Sequence, residues 1–126
     1  MKLYLAGPMR GYPRYNFDAF EDAAGTLRSL GYEVLSPAEH DLAMGLDPDR
    51  PLDDQPAMPG GQFSLTDALR WDINAILHVD AVAVLPGWEA SSGVAIELTV
   101  ARAVGVPVYR YIDGDLEPIP EAVAAA

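Results

Sequence analysis

Two carboxylates stand where the pattern of their helices calls for apolar residues. In "WEASSGVAIELTVARAVG" (residues 88–105), a helical advance of about 100° per residue places Glu97 on one face with Gly93, Val94, Val100, Ala101 and Val104, while Thr99 and Arg102 fall opposite. In "SLTDALRWDINAILH" (64–78), Asp72 aligns with Leu65, Ala68, Leu69, Ala75, Ile76 and Val79, and Asp67, Arg70 and Asn74 take the far side. An unpaired carboxylate in a core is costly, so each is either paired there or faces a cavity. Two carboxyl groups around one small site suit glycosidic chemistry: one attacks or stabilises the anomeric carbon while the other handles the leaving group's proton. A structural pair, or a grip on a ribose hydroxyl without chemistry, fits the same spacing.

"SSG" (91–93) opens the Glu97 helix. Ser91 or Ser92 is a natural N-cap. With Gly93 and the free N–H groups of the first turn they also make an anion site, and Glu97 lies roughly 7–8 Å further along the axis. That span is comparable to the distance from a nucleotide's 5′-phosphate to its anomeric carbon. In "YLAGPMRG" (4–11), Gly7 and Gly11 permit a tight turn or close ligand approach, and Arg10 or Arg14 offers a phosphate partner. Tyr4 alternates to the same side as Lys2 and Ala6, which also suits a plain core tyrosine. Trp88 is read either as a platform for a base or as a cap on the sheet edge, and His40 as a ligand contact or a bystander.

These residues need a frame. Four apolar runs read as strands, at 2–7, 32–37, 81–86 and 106–112, with amphipathic helices from Tyr15 to Gly31, from Ser64 to His78 and from about Ser92. The first helix places Phe17, Phe20, Ala24, Leu27 and Leu30 on one side, and Gly31 and Gly105 stand where helices stop. This order predicts a single α/β domain over 1–126, a flavodoxin- or Rossmann-like three-layer sandwich around a central parallel sheet of four to five strands. Ligands in such sheets sit beyond the carboxyl ends of the strands. That singles out the loops "GPMRGYPRYN", "SPAEH" and "PGWEASSG". Residues 41–62, rich in Pro, Gly and Asp, read as one long loop of the lid or binding type.

The 126 residues carry 19 acidic and 8 basic side chains, for a net charge of −11, with no cysteine and two histidines. That composition excludes thiolate chemistry, argues against a His-based metal centre and against a nucleic-acid polymer as partner, and leaves a small anionic ligand open. The acidic 41–62 loop lacks EF-hand spacing for calcium. No segment reads as a signal peptide or a membrane span, so a soluble cytoplasmic protein without a cofactor is expected.

Taken in order, "LYLAGPMRG", "GYEVLSPAEH", "RWDINAILHVDAVAVL" and "SSGVAIELTVARAVGVPV" resemble the nucleoside 2-deoxyribosyltransferase superfamily, which includes nucleoside 5′-monophosphate N-glycosidases. The resemblance implies Glu97 as nucleophile, Asp72 as proton-handling carboxylate and Tyr4 as the residue that orients Glu97. It places Gly7, Met9 and Arg10 in the first ligand loop and implies a homodimer. Relatives acting on free nucleosides carry an aspartate where this chain has Ser91; serine there belongs to the phosphate-recognising branch, since an aspartate would repel a 5′-phosphate. The tail "YIDGDLEPIPEAVAAA" shows no counterpart of the residues that relatives lend to a neighbouring subunit. Cleavage of a (deoxy)nucleoside 5′-monophosphate through a glycosyl-glutamate is therefore expected, with water or a second base as acceptor. An NAD-type N-glycosidase, with Trp88 under the nicotinamide, and a non-enzymatic nucleotide sensor are the alternatives.

Overall fold

A computed structural model of the chain describes residues 1–120. Five strands form one sheet in the order β2-β1-β3-β4-β5: β1 Lys2–Ala6, β2 Glu33–Leu35, β3 Ala81–Val84, β4 Val108–Ile112 and β5 Asp115–Pro118. The first four are parallel, with Tyr4 beside Leu35 on one side and Val82 on the other. The fifth runs antiparallel to β4, pairing Ile112 with Asp115, so the sheet is mostly rather than wholly parallel. Its turn is Asp113-Gly114, both at positive φ (47° and 93°), the two-residue connection whose twist matches a hairpin.

Alternation along β1 divides the core. Leu3 and Leu5 pack with Phe17, Phe20, Ala24 and Leu27 of helix α1 (Phe17–Ser29), together with Ala81, Ala83 and Leu85. Tyr4 and Ala6 face the other way, onto Ala75 and Ile76 of α3 (Leu65–Ile76) and Val94, Leu98 and Ala101 of α4 (Ser92–Ala103). The three-layer arrangement follows, since each fully buried large apolar side chain contributes about 1.5–3 kcal/mol and only a sheet covered on both faces buries both sets. Leu30 and Val104 depart from the expected stripes. Each sits at the C-terminal end of its helix and is more than half or half exposed (59% and 50%). Gly31 and Gly105 take positive φ just beyond.

The connection after β2 is not the loop expected for "SPAEH". Pro37–Ala43 form a helix, α2, with Ser36 at its N-cap position and proline in the first turn, where its fixed φ suits a helix and its missing N–H is no loss. The stretch 41–62 is accordingly not all loop: Asp41–Ala43 close α2, and Leu52–Asp54 make a turn of 3₁₀ helix.

What remains is ordered around one buried amide. Gln55 accepts from the Asp47 N–H (2.7 Å) and donates to the carbonyls of Asp47, Arg50 and Pro51 (2.9–3.1 Å). Truncating it removes these partly buried bonds, each contributing about 0.5–1.5 kcal/mol. Gln55→Ala is therefore expected to speed limited proteolysis within 46–62 while amide exchange in β1 and β3 stays slow. Unchanged cleavage of that segment would show that other contacts order it.

Candidate active site

β1 delivers Tyr4 and Gly7 to the carboxyl edge of the sheet, and α3 and α4 bring Asp72 and Glu97 up to the same edge. A cavity of about 520 Å³ opens there. Gly7, Met9, Arg10, Ser91, Ser92, Gly93, Asp72 and Glu97 all line it. Glycine suits position 7 for packing: a Cβ there would lie 3.0 Å from Leu85 Cβ, a contact tight enough that Leu85 would have to shift by a few tenths of an ångström.

Glu97 is 7% exposed, and Tyr4, fully buried beneath it, donates its hydroxyl hydrogen to Glu97 Oε2. Beside it, Asp72 Oδ1 is buried without a hydrogen-bond partner. Burial raises the Glu97 carboxyl to about 8, against the pull of the Tyr4 hydrogen bond and with help from the neighbouring carboxylates Asp72 and Asp41. Asp72 is raised by burial to about 7, against the pull of the Tyr4 hydroxyl. Tyr4 moves well above its ordinary value, through burial first and then Glu97 and Asp72, and so stays a hydrogen donor.

The entry to α4 opens onto the cavity with free donors. Ser91 caps the helix by accepting the Val94 N–H (3.3 Å), and Ser92 and Gly93 present first-turn N–H groups that no helical carbonyl can reach. Arg10 is exposed at the rim. Arg14 is committed elsewhere, to Asp49 and Asp18. That pairing, with the Tyr15 hydroxyl on the Arg50 carbonyl and Asn16 Nδ2 on the Pro8 carbonyl (3.0 Å), clasps the first loop to the 46–55 segment. It also anchors three successive left-handed residues, Arg14, Tyr15 and Asn16. Non-glycine residues there cost on the order of 1–2 kcal/mol each.

Trp88 and His40 do not line the cavity. Trp88 packs against the Tyr4-side core. His40 stacks on Trp71, with ring centroids 4.2 Å apart and planes at 7°. Burial lowers its pKa, so it stays neutral around pH 7. Two groups escaped the sequence reading. Asp41, 6% exposed with Oδ1 unpartnered, is a third carboxylate at the cavity wall. The apolar walls, including Leu46, Leu52 and Phe63, come from the long segment whose side chains had no periodicity to betray them. Among the described residues, no three His, Cys, Asp or Glu side chains converge as a metal-ligand set, and no helix is long and apolar enough to cross a membrane.

The family model described as a domain of unknown function, DUF4406, matches residues 1–110. The chain belongs to this family. No match is found among curated proteins. Solved structures show how widely the DUF4406 fold is shared. A 2-deoxyribosyltransferase from Bacillus psychrosaccharolyticus is 24% identical over 98% of this chain and 80% of its own, with a TM-score of 0.61. A CMP N-glycosidase from Clostridium botulinum is 21% identical over 90% of this chain and 76% of its own, at 0.54. A conserved protein from Enterococcus faecalis V583 is 26% identical over 90% and 64%, at 0.53. The fold of this DUF4406 chain is thus the deoxyribosyltransferase fold that its motifs resemble.

The raised carboxyls carry a stability signature. A carboxyl whose folded pKa exceeds its unfolded one binds extra protons in the folded state, so folding loses stability as pH rises between the two values. For Glu97 that window runs from about 4.5 to about 8. Glu97→Gln should melt higher than the parent chain at pH 8 and close to it at pH 5. An equal offset at both, read by thermal unfolding, would mean that Glu97 is not held protonated.

Proposed function

We propose that this chain breaks the N-glycosidic bond of a nucleoside 5′-monophosphate by a double displacement. The observation that carries the reading is Glu97, buried at the cavity floor with the Tyr4 hydroxyl on one carboxylate oxygen. A hydrogen bond of that kind holds the other oxygen toward the cavity and favours the ionised, nucleophilic form.

The substrate's phosphate sits at the N-terminus of α4, on the Ser91 and Ser92 hydroxyls and the first-turn N–H groups, with Arg10 at the rim. Glu97 attacks the anomeric carbon as the bond to the base breaks, and the electron pair leaves with the base nitrogen. Asp72, half-protonated near pH 7, supplies the proton. Water resolves the glycosyl ester in a hydrolase, or a second base does in a transferase. The first structural neighbours, a deoxyribosyltransferase and a CMP N-glycosidase, support this class of bond. Ser91, where an aspartate would repel phosphate, supports the monophosphate. The reading needs no cofactor and includes a homodimer, with the exposed Leu65, Leu69 and Ile96 along the cavity rim as the face available to a second copy.

Chromatography after incubation with each common ribo- and deoxyribonucleoside 5′-monophosphate is expected to show free base, and none with Glu97→Ala. Unphosphorylated nucleosides should react far more slowly. Failure on every monophosphate, with and without an added acceptor base, rejects the reading. Activity requires Glu97 ionised and Asp72 protonated, so kcat/KM should be bell-shaped in pH, with limbs near 7 and 8 that belong to the coupled pair. Tyr4→Phe removes the bond that lowers the Glu97 pKa. It should cut kcat by roughly 10–100-fold and, because Glu97 holds the higher of the two values, move the basic limb to higher pH; a basic limb left in place would count against the assigned role of Tyr4.

A further inference from the structure

Asp41 has no part in the mechanism above, yet it is buried at the wall of the same cavity. Its Oδ1 has no hydrogen-bond partner, and the same is true of Asp72 Oδ1. An unpaired buried carboxylate oxygen is expensive, and two of them facing one cavity can satisfy each other only if a proton lies between the two groups.

A second observation ties their helices together. His40 and Trp71 are the stacked pair, and each immediately precedes one of the two aspartates. The stack joins α2 to α3 one residue before each aspartate. It explains why a histidine beside the cavity is turned away from it: its flat face sets the register between the helices.

We propose that Asp41 and Asp72 share one proton and act as a single acid, held in register by the stacked His40–Trp71 pair. This rests on the glycosidase reading for its chemistry. The shared proton passes from Asp72 to the base nitrogen as the C1′–N electron pair departs with the base. When water then bonds to C1′ and Glu97 takes back its electron pair, the water's proton returns to the aspartates. The base leaves with one proton, the sugar gains a hydroxyl, and the pair ends as it began. Both carboxyls sit near 7, Asp41 through burial and then the Asp72 charge, which suits a pair that keeps one proton at neutral pH. The other ionisable groups around them are Glu97 on α4, whose charge opposes loss of the proton, Tyr4 on β1, which stays neutral, His40 on α2, which is neutral around pH 7, and Arg10 at the rim.

The test reads protons directly, without substrate. In the full chain labelled with ¹³C at aspartate carboxyls, and with signals assigned by Asp41→Asn and Asp72→Asn, both resonances should titrate in two steps. In Asp41→Asn, Asp72 loses its like-charged neighbour. It should then titrate in one step, with its midpoint lower by about one pH unit. His40→Ala should shift the Asp72 curve toward that of Asp41→Asn.

An Asp72 curve indifferent to Asp41→Asn overturns the pair, and one indifferent to His40→Ala overturns the role of the stack. An unmoved Asp72 titration combined with an altered base preference in Asp41→Asn would also overturn the pair, in favour of direct contact between Asp41 and the base. Coupled titration in a chain that releases no base would reject the glycosidase reading alone, and base release with uncoupled titration would reject the pair alone.

Discussion

A hydrogen bond between the Tyr4 hydroxyl and the Glu97 carboxylate, made inside one of the two cores, is the contact on which the site depends. A carboxylate beneath the surface, beside two others, is an unfavourable arrangement. It persists because the surrounding apolar packing over-determines it: Val82, Val84, Val94 and Leu98 fix the strand and helix that bring Tyr4 and Glu97 together. The same burial lifts the carboxyls toward neutral pH, where an acid and a nucleophile are both useful. Stability is given up at the place where reactivity is gained.

Around that contact the chain separates two tasks. The α4 entry, with its serines and free N–H groups, offers fixed backbone dipoles that suit the charge of the proposed substrate. The segment from Leu46 to Phe63 supplies shape, and it is built to hold that shape. Gln55 organises it from within, and the Arg14–Asp49 pair ties it to the first loop from outside. An exposed ion pair contributes little by itself, about 0–1 kcal/mol; its value here is to hold a left-handed stretch of backbone that brings the first loop over the cavity.

Much of this was legible in the sequence, for identifiable reasons. Glu97 and Asp72 stood out because a carboxylate on an apolar stripe breaks a strong periodicity. The parallel strands were visible because burial on both faces makes them apolar throughout. Asp41 was missed because α2 is only seven residues long, too short for periodicity to separate it from a loop, although a serine before proline at its start is a helix-entry signal. The antiparallel fifth strand hid in "YIDGDLEP", where the Asp-Gly pair marks a hairpin but the strand itself is mostly polar and at the sheet edge. For Trp88 and His40, loop position and residue type left a ligand contact and a packing role equally readable, and in the structure Trp88 packs on the core and His40 on Trp71. The part of the tail from 121 to 126 lies outside the described residues.

The central claim is that Glu97 forms a covalent ester with the sugar, which fixes the stereochemical course. Methanol, supplied as acceptor in place of water, yields a glycoside whose anomeric configuration is stable and readable by NMR. Two displacements at C1′ leave the β-configuration of the nucleotide retained, and that is the result expected. A methyl glycoside of inverted configuration would mean that water or methanol attacks directly, with Glu97 as base rather than nucleophile, and would contradict the account at its core.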